Sequence, residues 1–261
     1  MRGVSRTALW VASMRATESA RPDRICSDPL AAAFVAAAEE EIPPAPPGAA
    51  EFMAVRTRFY DDFLLSSAVP QVVVLAAGLD ARAFRLPWPP GVRLFELDLP
   101  ELLVFKEKVV SGLVPACSRV VVPVDLRSDW PAALLSAGLD RSVPTAWIAE
   151  GLLQYLSEAE VGRLLDSVRE LSCAGSRFAF DHMDTSANDR ESVVDAVERI
   201  RSMGAEMDLS TDDPARWLTA HGWTATTSRV PALAVEYGRP LPDFMDMAAA
   251  NATALCTAAL G

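Results

Sequence analysis

Apolar positions along this chain follow two rhythms, and the change between them falls near residue 70. Before it the spacing is helical: TALWVASM carries an apolar stripe, and DPLAAAFVAAAEEE reads as an Ala-rich helix with Asp28 as N-cap and Pro29 in its first turn. The run from Ile42 to Ala49, IPPAPPGA, holds four prolines in five positions, so it predicts an exposed connection or a lid segment and neither helix nor central strand. Helical spacing returns from Phe52 to Leu65, where Arg56, Arg58, Asp61 and Asp62 supply charge.

After Pro70 short β-rich apolar runs alternate with helical ones. The predicted strands are QVVVLAAG (71–78), VRLFELD (92–98), RVVVPVDL (119–126), TAWIAEG (145–151) and SRFAFD (176–181), and the predicted helices between them lie over 99–113, 130–139 and 157–172. In the last helix Ser157 and Glu160 form a capping box, and Val161, Leu164, Leu165, Val168 and Leu171 share one face. Strand, helix, strand, helix predicts a mostly parallel, doubly wound sheet with both faces covered. The charged segment NDRESVVDAVERIRSM reads as a helix laid over that sheet. Beyond it Asp213 and Pro214 open a helix that Gly222 closes, and WTATTSRV and ALAVEYG read as two further strands. The expected organisation is a single domain: a helical lid (1–55), a core (70–181), an inserted lid helix (182–210) and a C-terminal helix with strands (211–261).

Composition narrows this picture. With 261 residues, 51 % hydrophobic and 23 % charged, the chain can bury a large core. Its 24 Lys and Arg against 35 Asp and Glu give a net charge of −11, the wrong sign for wrapping a polyphosphate, so no nucleic-acid partner is expected. Cys26, Cys117, Cys173 and Cys256 never form a CxxC pair, which suggests neither a zinc site nor a disulfide framework; they read as reduced, and no metal is expected. The apolar run Leu9–Ala12 is too short for a signal segment, and the nine residues Leu30–Ala38 fall well below the roughly 20 that span a bilayer. A cytoplasmic protein without membrane contact is the expectation.

In an open parallel sheet the ligand lies across the carboxyl ends of the strands. The residues there are Ala76 to Asp80, Asp98, Asp125, Glu150 and Asp181. A pyrophosphate needs a Gly-rich loop with open backbone N–H groups, whereas AAGLDARAFR has one Gly and a carboxylate in that place, so a NAD-dependent reductase loses ground. Acids at strand ends suit ribose hydroxyls, an exocyclic amine and positive charge. S-adenosylmethionine, a nucleoside sulfonium with an ammonium group, is such a ligand. Each acid also has a plainer reading: Asp98 can cap the helix after Leu99-Pro100, and Asp125 can start the turn before Trp130-Pro131. Glu150, after an apolar strand and before Gly151, is poorly placed for an idle carboxylate.

The set RTRFYDD, VVLAAGLDARAFRL, FELDLP, VDL and EGLLQYL, in this order and spacing, resembles the leucine carboxyl methyltransferase family of S-adenosylmethionine enzymes. With TALWVASMRATESARPDRICSDPLA it is similar to the actinobacterial branch, which includes polyketide tailoring O-methyltransferases of secondary metabolism. The resemblance implies a Rossmann-like class I methyltransferase fold with an N-terminal helical lid. It further implies that Arg56 grips the methionine carboxylate with help from Arg15, that Ala76 and Gly78 line the turn under the cofactor, and that Asp98 binds the ribose. Asp125 and Leu126 would cradle the adenine, and Glu150 would sit near the ammonium group. One position departs from the pattern: the family's turn usually reads GAG or GCG, and here Ala76 replaces the first Gly.

The acceptor is expected to be a small molecule bearing a carboxylate or a hydroxyl. A carboxylate, with pKa near 4, needs no base, whereas a phenol, near 10, gains from one. His182, directly after the strand expected to end at Asp181, is the candidate base, and Tyr155 is expected to face the acceptor; His221 reads as a helix-end or surface residue. A cofactor-binding relative with altered chemistry remains the alternative to an active methyltransferase.

Overall fold

The computed structural model of the protein describes residues 6–39, 42–183, 185, 188–207, 213–242 and 247–261. Parts of the expected lid, insert and C-terminal unit, residues 1–5, 40–41, 184, 186–187, 208–212 and 243–246, lie outside the described residues. Seven strands form one sheet: β1 (Gln71–Leu75), β2 (Arg93–Asp98), β3 (Ser118–Pro123), β4 (Thr145–Ala149), β5 (Arg177–Met183), β6 (Trp223–Arg229) and β7 (Thr253–Leu260). Their spatial order is β3-β2-β1-β4-β5-β7-β6. The first five are mutually parallel, and β7 runs antiparallel between β5 and β6.

Strand alternation sorts the core into two layers. Val73, Leu75, Phe95, Trp147, Phe178 and Phe180 face α6 (Trp130–Ser136), α7 (Glu158–Glu170) and α9 (Pro214–Ala220). Val72, Val74, Leu94, Ala146, Ile148 and Ala179 face α3 (Ala49–Ser67), α4 (Arg82–Arg85) and α10 (Val230–Glu236). Trp147 is fully buried and meets Trp130 edge to face with ring centroids 6.3 Å apart. The helix starts follow from local chemistry: Glu160 accepts the Ser157 N–H at 2.9 Å to open α7, and Asp129 and Asp213 accept from Ala132 and Arg216 to open α6 and α9.

A third layer forms the roof. In α1 (Arg6–Ser19), Leu9 and Ala12 pack with Phe34 of α2 (Ala31–Ala37), with Leu79 and Ala81 after β1, and with Leu102 and Phe105 of α5 (Pro100–Val109). Ile200 of α8 (Glu191–Ser202) joins Trp10, Met14 and Met53 in a neighbouring cluster. Two arginines, Arg239 buried and Arg15 partly buried, fasten the loop between α1 and α2. Arg239 donates to Glu18 Oε1 at 3.1 Å and to the Asp23 carbonyl at 2.6 Å, while Arg15 donates to Asp28 Oδ2 and to the Leu79 carbonyl, both at 2.8 Å.

Three segments differ from the sequence expectation. ALAVEYG belongs to α10, because Pro231 in the first turn favours helix, and the strand that pairs with β6 comes from elsewhere. The missing strand is β7, whose Ala-rich TALCTAAL lacks a clean period of two and takes its extended form from partners on both sides. The Ala-rich second helix is also shorter than DPLAAAFVAAAEEE suggests, ending at Ala37; Asp28 still opens it, accepting from the Leu30 and Ala31 N–H groups at 3.1 and 3.2 Å. No helix among the described residues is long and apolar enough to cross a membrane.

Candidate functional site

The crossover direction reverses between β1 and β4, so the loops that leave their carboxyl ends diverge and open a crevice. A cavity of about 550 Å³ fills it. Arg15, Arg56, Ala76, Gly78, Asp98, Asp125, Leu126, Glu150 and Tyr155 all line this cavity, and His182 does not.

The turn after β1 forms the floor. Ala76 has φ +51° and Gly78 has φ +51°, both in the left-handed region. This explains why a Gly is favoured at the first of these positions and shows that Ala76 keeps the turn by accepting strain, a cost of about 1–2 kcal/mol. Asp98, at the end of β2, braces the turn: its carboxylate accepts the Gly78 N–H at 2.6 Å and the Leu99 N–H at 2.7 Å. Burial pushes the Asp98 carboxyl above its usual range despite these two donors. Asp125 accepts the Arg127 N–H at 2.8 Å, so it both starts the turn after β3 and lines the cavity beside Leu126.

The wall on the β4 side is a buried charge network. Arg56 donates to Glu150 Oε1 at 3.1 Å and lies 3.7 Å from Asp181 Oδ2. Glu150 Oε2 accepts from Arg82 Nη1 at 2.8 Å, and Arg82 also pairs with Asp61 at 2.7 Å and with Asp80. Arg85 closes the set with two bonds of 2.6 and 2.7 Å to Asp61. Burial alone would raise the Glu150 carboxyl, but the Arg82 and Arg56 guanidiniums hold it below its usual range. At Asp80 burial is likewise overcome by Arg82, Lys106 and Arg85, which bring its pKa down to about 2. Asp181 Oδ1 accepts from Tyr60 Oη at 2.8 Å and from the Gly151 N–H at 2.6 Å, and so fixes the backbone that carries Glu150.

Tyr155 ends a short 3-10 turn (Leu153–Tyr155) and lines the cavity, and burial raises its phenol pKa against the effect of Arg56. His182 is placed differently from the sequence expectation. Pairing with β7 extends β5 through His182 to Met183, with His182 opposite Ala254, so this residue sits within the ladder and not on a turn at the ligand edge. Alternation also turns it to the sheet face opposite Asp181, the β5 residue that reaches the β4 wall. His221 closes α9, with Nδ1 2.7 Å from the Trp217 carbonyl and Nε2 3.1 Å from Asp166, at the surface as expected. All four cysteines are free, and burial raises Cys26 to about 12 and Cys256 to about 11. Among the described residues no cluster of His, Cys, Asp and Glu could hold a metal ion.

Sequence reasoning singled out neither Arg82 nor Tyr60, and Asp80 and Asp181 only as strand-end acids. The signal was present in the density of charge in RTRFYDD and GLDARAFR, two short stretches that are apolar enough to be buried. Buried charges need partners, so the two stretches had to meet.

The sheet order and the crevice at its carboxyl edge define a Rossmann-like class I fold. The family model for leucine carboxyl methyltransferase matches residues 8–169, and the chain belongs to that family. It is 45 % identical over 273 residues, covering 97 % of this chain and 87 % of the relative, to a Parafrankia protein named as an S-adenosyl-L-methionine-dependent methyltransferase. A Streptomyces coelicolor protein of the same description is 44 % identical, with 92 % and 89 % covered. Among solved structures, a duf574 family protein from Streptomyces avermitilis aligns with a TM-score of 0.63 at 15 % identity, covering 96 % of this chain and 97 % of the other. A Thermobifida fusca protein described as a methyltransferase aligns at 0.61 and 16 % identity, with 95 % and 94 % covered.

Proposed function

We propose that the protein transfers the methyl group of S-adenosylmethionine to an oxygen atom of a small-molecule acceptor, and that this oxygen belongs to a carboxylate. The observation that carries the cofactor half is the arrangement of one cavity wall. The Arg56–Glu150 pair offers a guanidinium and a carboxylate side by side, the complement of an amino-acid group, and Asp98 lies across the floor from it. These residues fit the cofactor: Arg56, with Arg15 near it, would hold the methionine carboxylate, Glu150 the ammonium, Asp98 the ribose hydroxyls, and Asp125 with Leu126 the adenine. A pyrophosphate fits poorly, because the Gly78 N–H is already given to Asp98 and the Ala77 N–H to the Leu97 carbonyl.

When bound, S-adenosylmethionine supplies a methyl group on a sulfonium leaving group that is already activated. What remains for this chain is to orient, to exclude water and to suit the acceptor. Val11 of α1 and Met203, which caps the C-terminal end of α8, cover the cavity, which limits water. Neither of the two histidines lines the cavity, and the raised Tyr155 phenol stays protonated at neutral pH, so it can donate a hydrogen bond but takes no proton. Both facts support an acceptor that arrives ionised.

Calorimetry with S-adenosylmethionine, S-adenosylhomocysteine and NADH tests the cofactor; micromolar binding of the first two and none of the third is expected. A pH–rate profile tests the acceptor. It should be flat between roughly pH 6 and 9, with His182→Ala keeping most of kcat. A rise through a pKa near 7, joined to a loss of roughly 10²-fold or more in His182→Ala, would mean a hydroxyl acceptor with His182 as base.

A further inference from the structure

Glu150 stands between two guanidiniums that come from different elements. Its Oε1 takes Arg56 of α3 at 3.1 Å, and its Oε2 takes Arg82 of α4 at 2.8 Å. An amino-acid group entering at this pair would bring its own charges, so Arg56 would turn from Glu150 to the incoming carboxylate while Glu150 would receive the incoming ammonium. The exchange works only if Glu150 stays where it is once Arg56 lets go. Arg82 is built to keep it there. It is 3 % exposed, and its Nε is fixed on Asp61, which Arg85 pins through both oxygens.

We propose that Arg82 is a positioning residue for the amino-acid end of the cofactor, holding the Glu150 carboxylate still while Arg56 exchanges partners. The inference rests on the cofactor reading above. It assigns Arg82 no contact with the adenosine, so ligands that lack the amino-acid group are indifferent to it. A lysine keeps the charge but cannot span Asp61, Asp80 and Glu150 with one planar fork.

The test is calorimetry on wild type and Arg82→Lys with two ligands, S-adenosylhomocysteine and methylthioadenosine, which share the adenosine and differ in the amino-acid group. In the variant, S-adenosylhomocysteine should bind roughly 10- to 100-fold more weakly, as expected for a carboxylate left poorly held. Methylthioadenosine should stay within about twofold, and KM for S-adenosylmethionine should rise more than kcat falls. Equal loss of both ligands, or loss of neither, would overturn the proposal. Should Arg82→Lys not fold, the double variant Asp61→Asn/Arg82→Gln, which removes one buried charge of each sign, is read by the same comparison. A wild-type protein that binds neither ligand instead overturns the cofactor reading, a distinct result.

Discussion

A methyl group placed on Gly151 would stand 3.3 Å from Nη1 of Arg56, tighter than ordinary contact, at a backbone φ of +63° that side chains rarely adopt. The glycine is therefore the space in which the Arg56 guanidinium sits. Gly151→Ala should lose about 1–2 kcal/mol of stability from the left-handed backbone and bind S-adenosylhomocysteine at least several-fold more weakly. A thermal melt and a titration measure the two effects separately, and an unchanged affinity would mean that Arg56 tolerates displacement.

Ala76 predicts the reverse. It holds φ +51° with a Cβ in the way, so Ala76→Gly removes strain of about 1–2 kcal/mol and adds back about 0.5–1 kcal/mol of unfolded-state entropy. A gain of about 0.5–1 kcal/mol should appear as a rise of a few degrees in Tm. A fall in Tm would show that the Ala76 methyl contributes packing worth more than its strain.

Asp98→Ala should weaken S-adenosylmethionine binding by about 1–3 kcal/mol, through lost ribose partners and through the Gly78 N–H, which loses its acceptor. Asp98→Asn, which keeps an acceptor for that amide, should recover part of the loss. Equal affinity in all three proteins would remove Asp98 from the site.

The pH dependence follows from Asp80. Its pKa in the folded chain is about 2 against an ordinary 3.8, a depressed carboxyl, so the stability it contributes is present above about pH 4 and is lost as pH falls towards 2. Wild type should lose about 2 kcal/mol more than Asp80→Asn across that window. Denaturant titrations at pH 5, 4 and 3 measure the difference in slope, and parallel curves would contradict it.

Much of this was legible in the sequence because each signal had a local cause. The strand ends at Leu75, Asp98 and Ala149 sit where β-branched and apolar runs give way to acids, and those acids are the ones that face the cavity. The capping box at Ser157 was legible for the same reason. The failures have the opposite origin. Thr253–Leu260 is a strand because β5 and β6 flank it, and His182 leaves the ligand edge because β7 lengthens β5; both are long-range effects without a local mark. The partners of Arg82 were hidden likewise, since Asp61 and Glu150 lie 21 and 68 residues away.

The position of β7 also sets an order of events during synthesis. Because β7 lies between β5 and β6, β6 has no neighbour in the sheet until residues 253–260 have been made. A nascent chain that has released everything up to Arg229 holds a five-stranded parallel sheet with β5 as an open edge and a loose Thr-rich strand beside it. Only the arrival of TALCTAAL covers that edge, so a ribosome stalled before it leaves a chain that carries its strand-end acids yet is prone to pair with another chain.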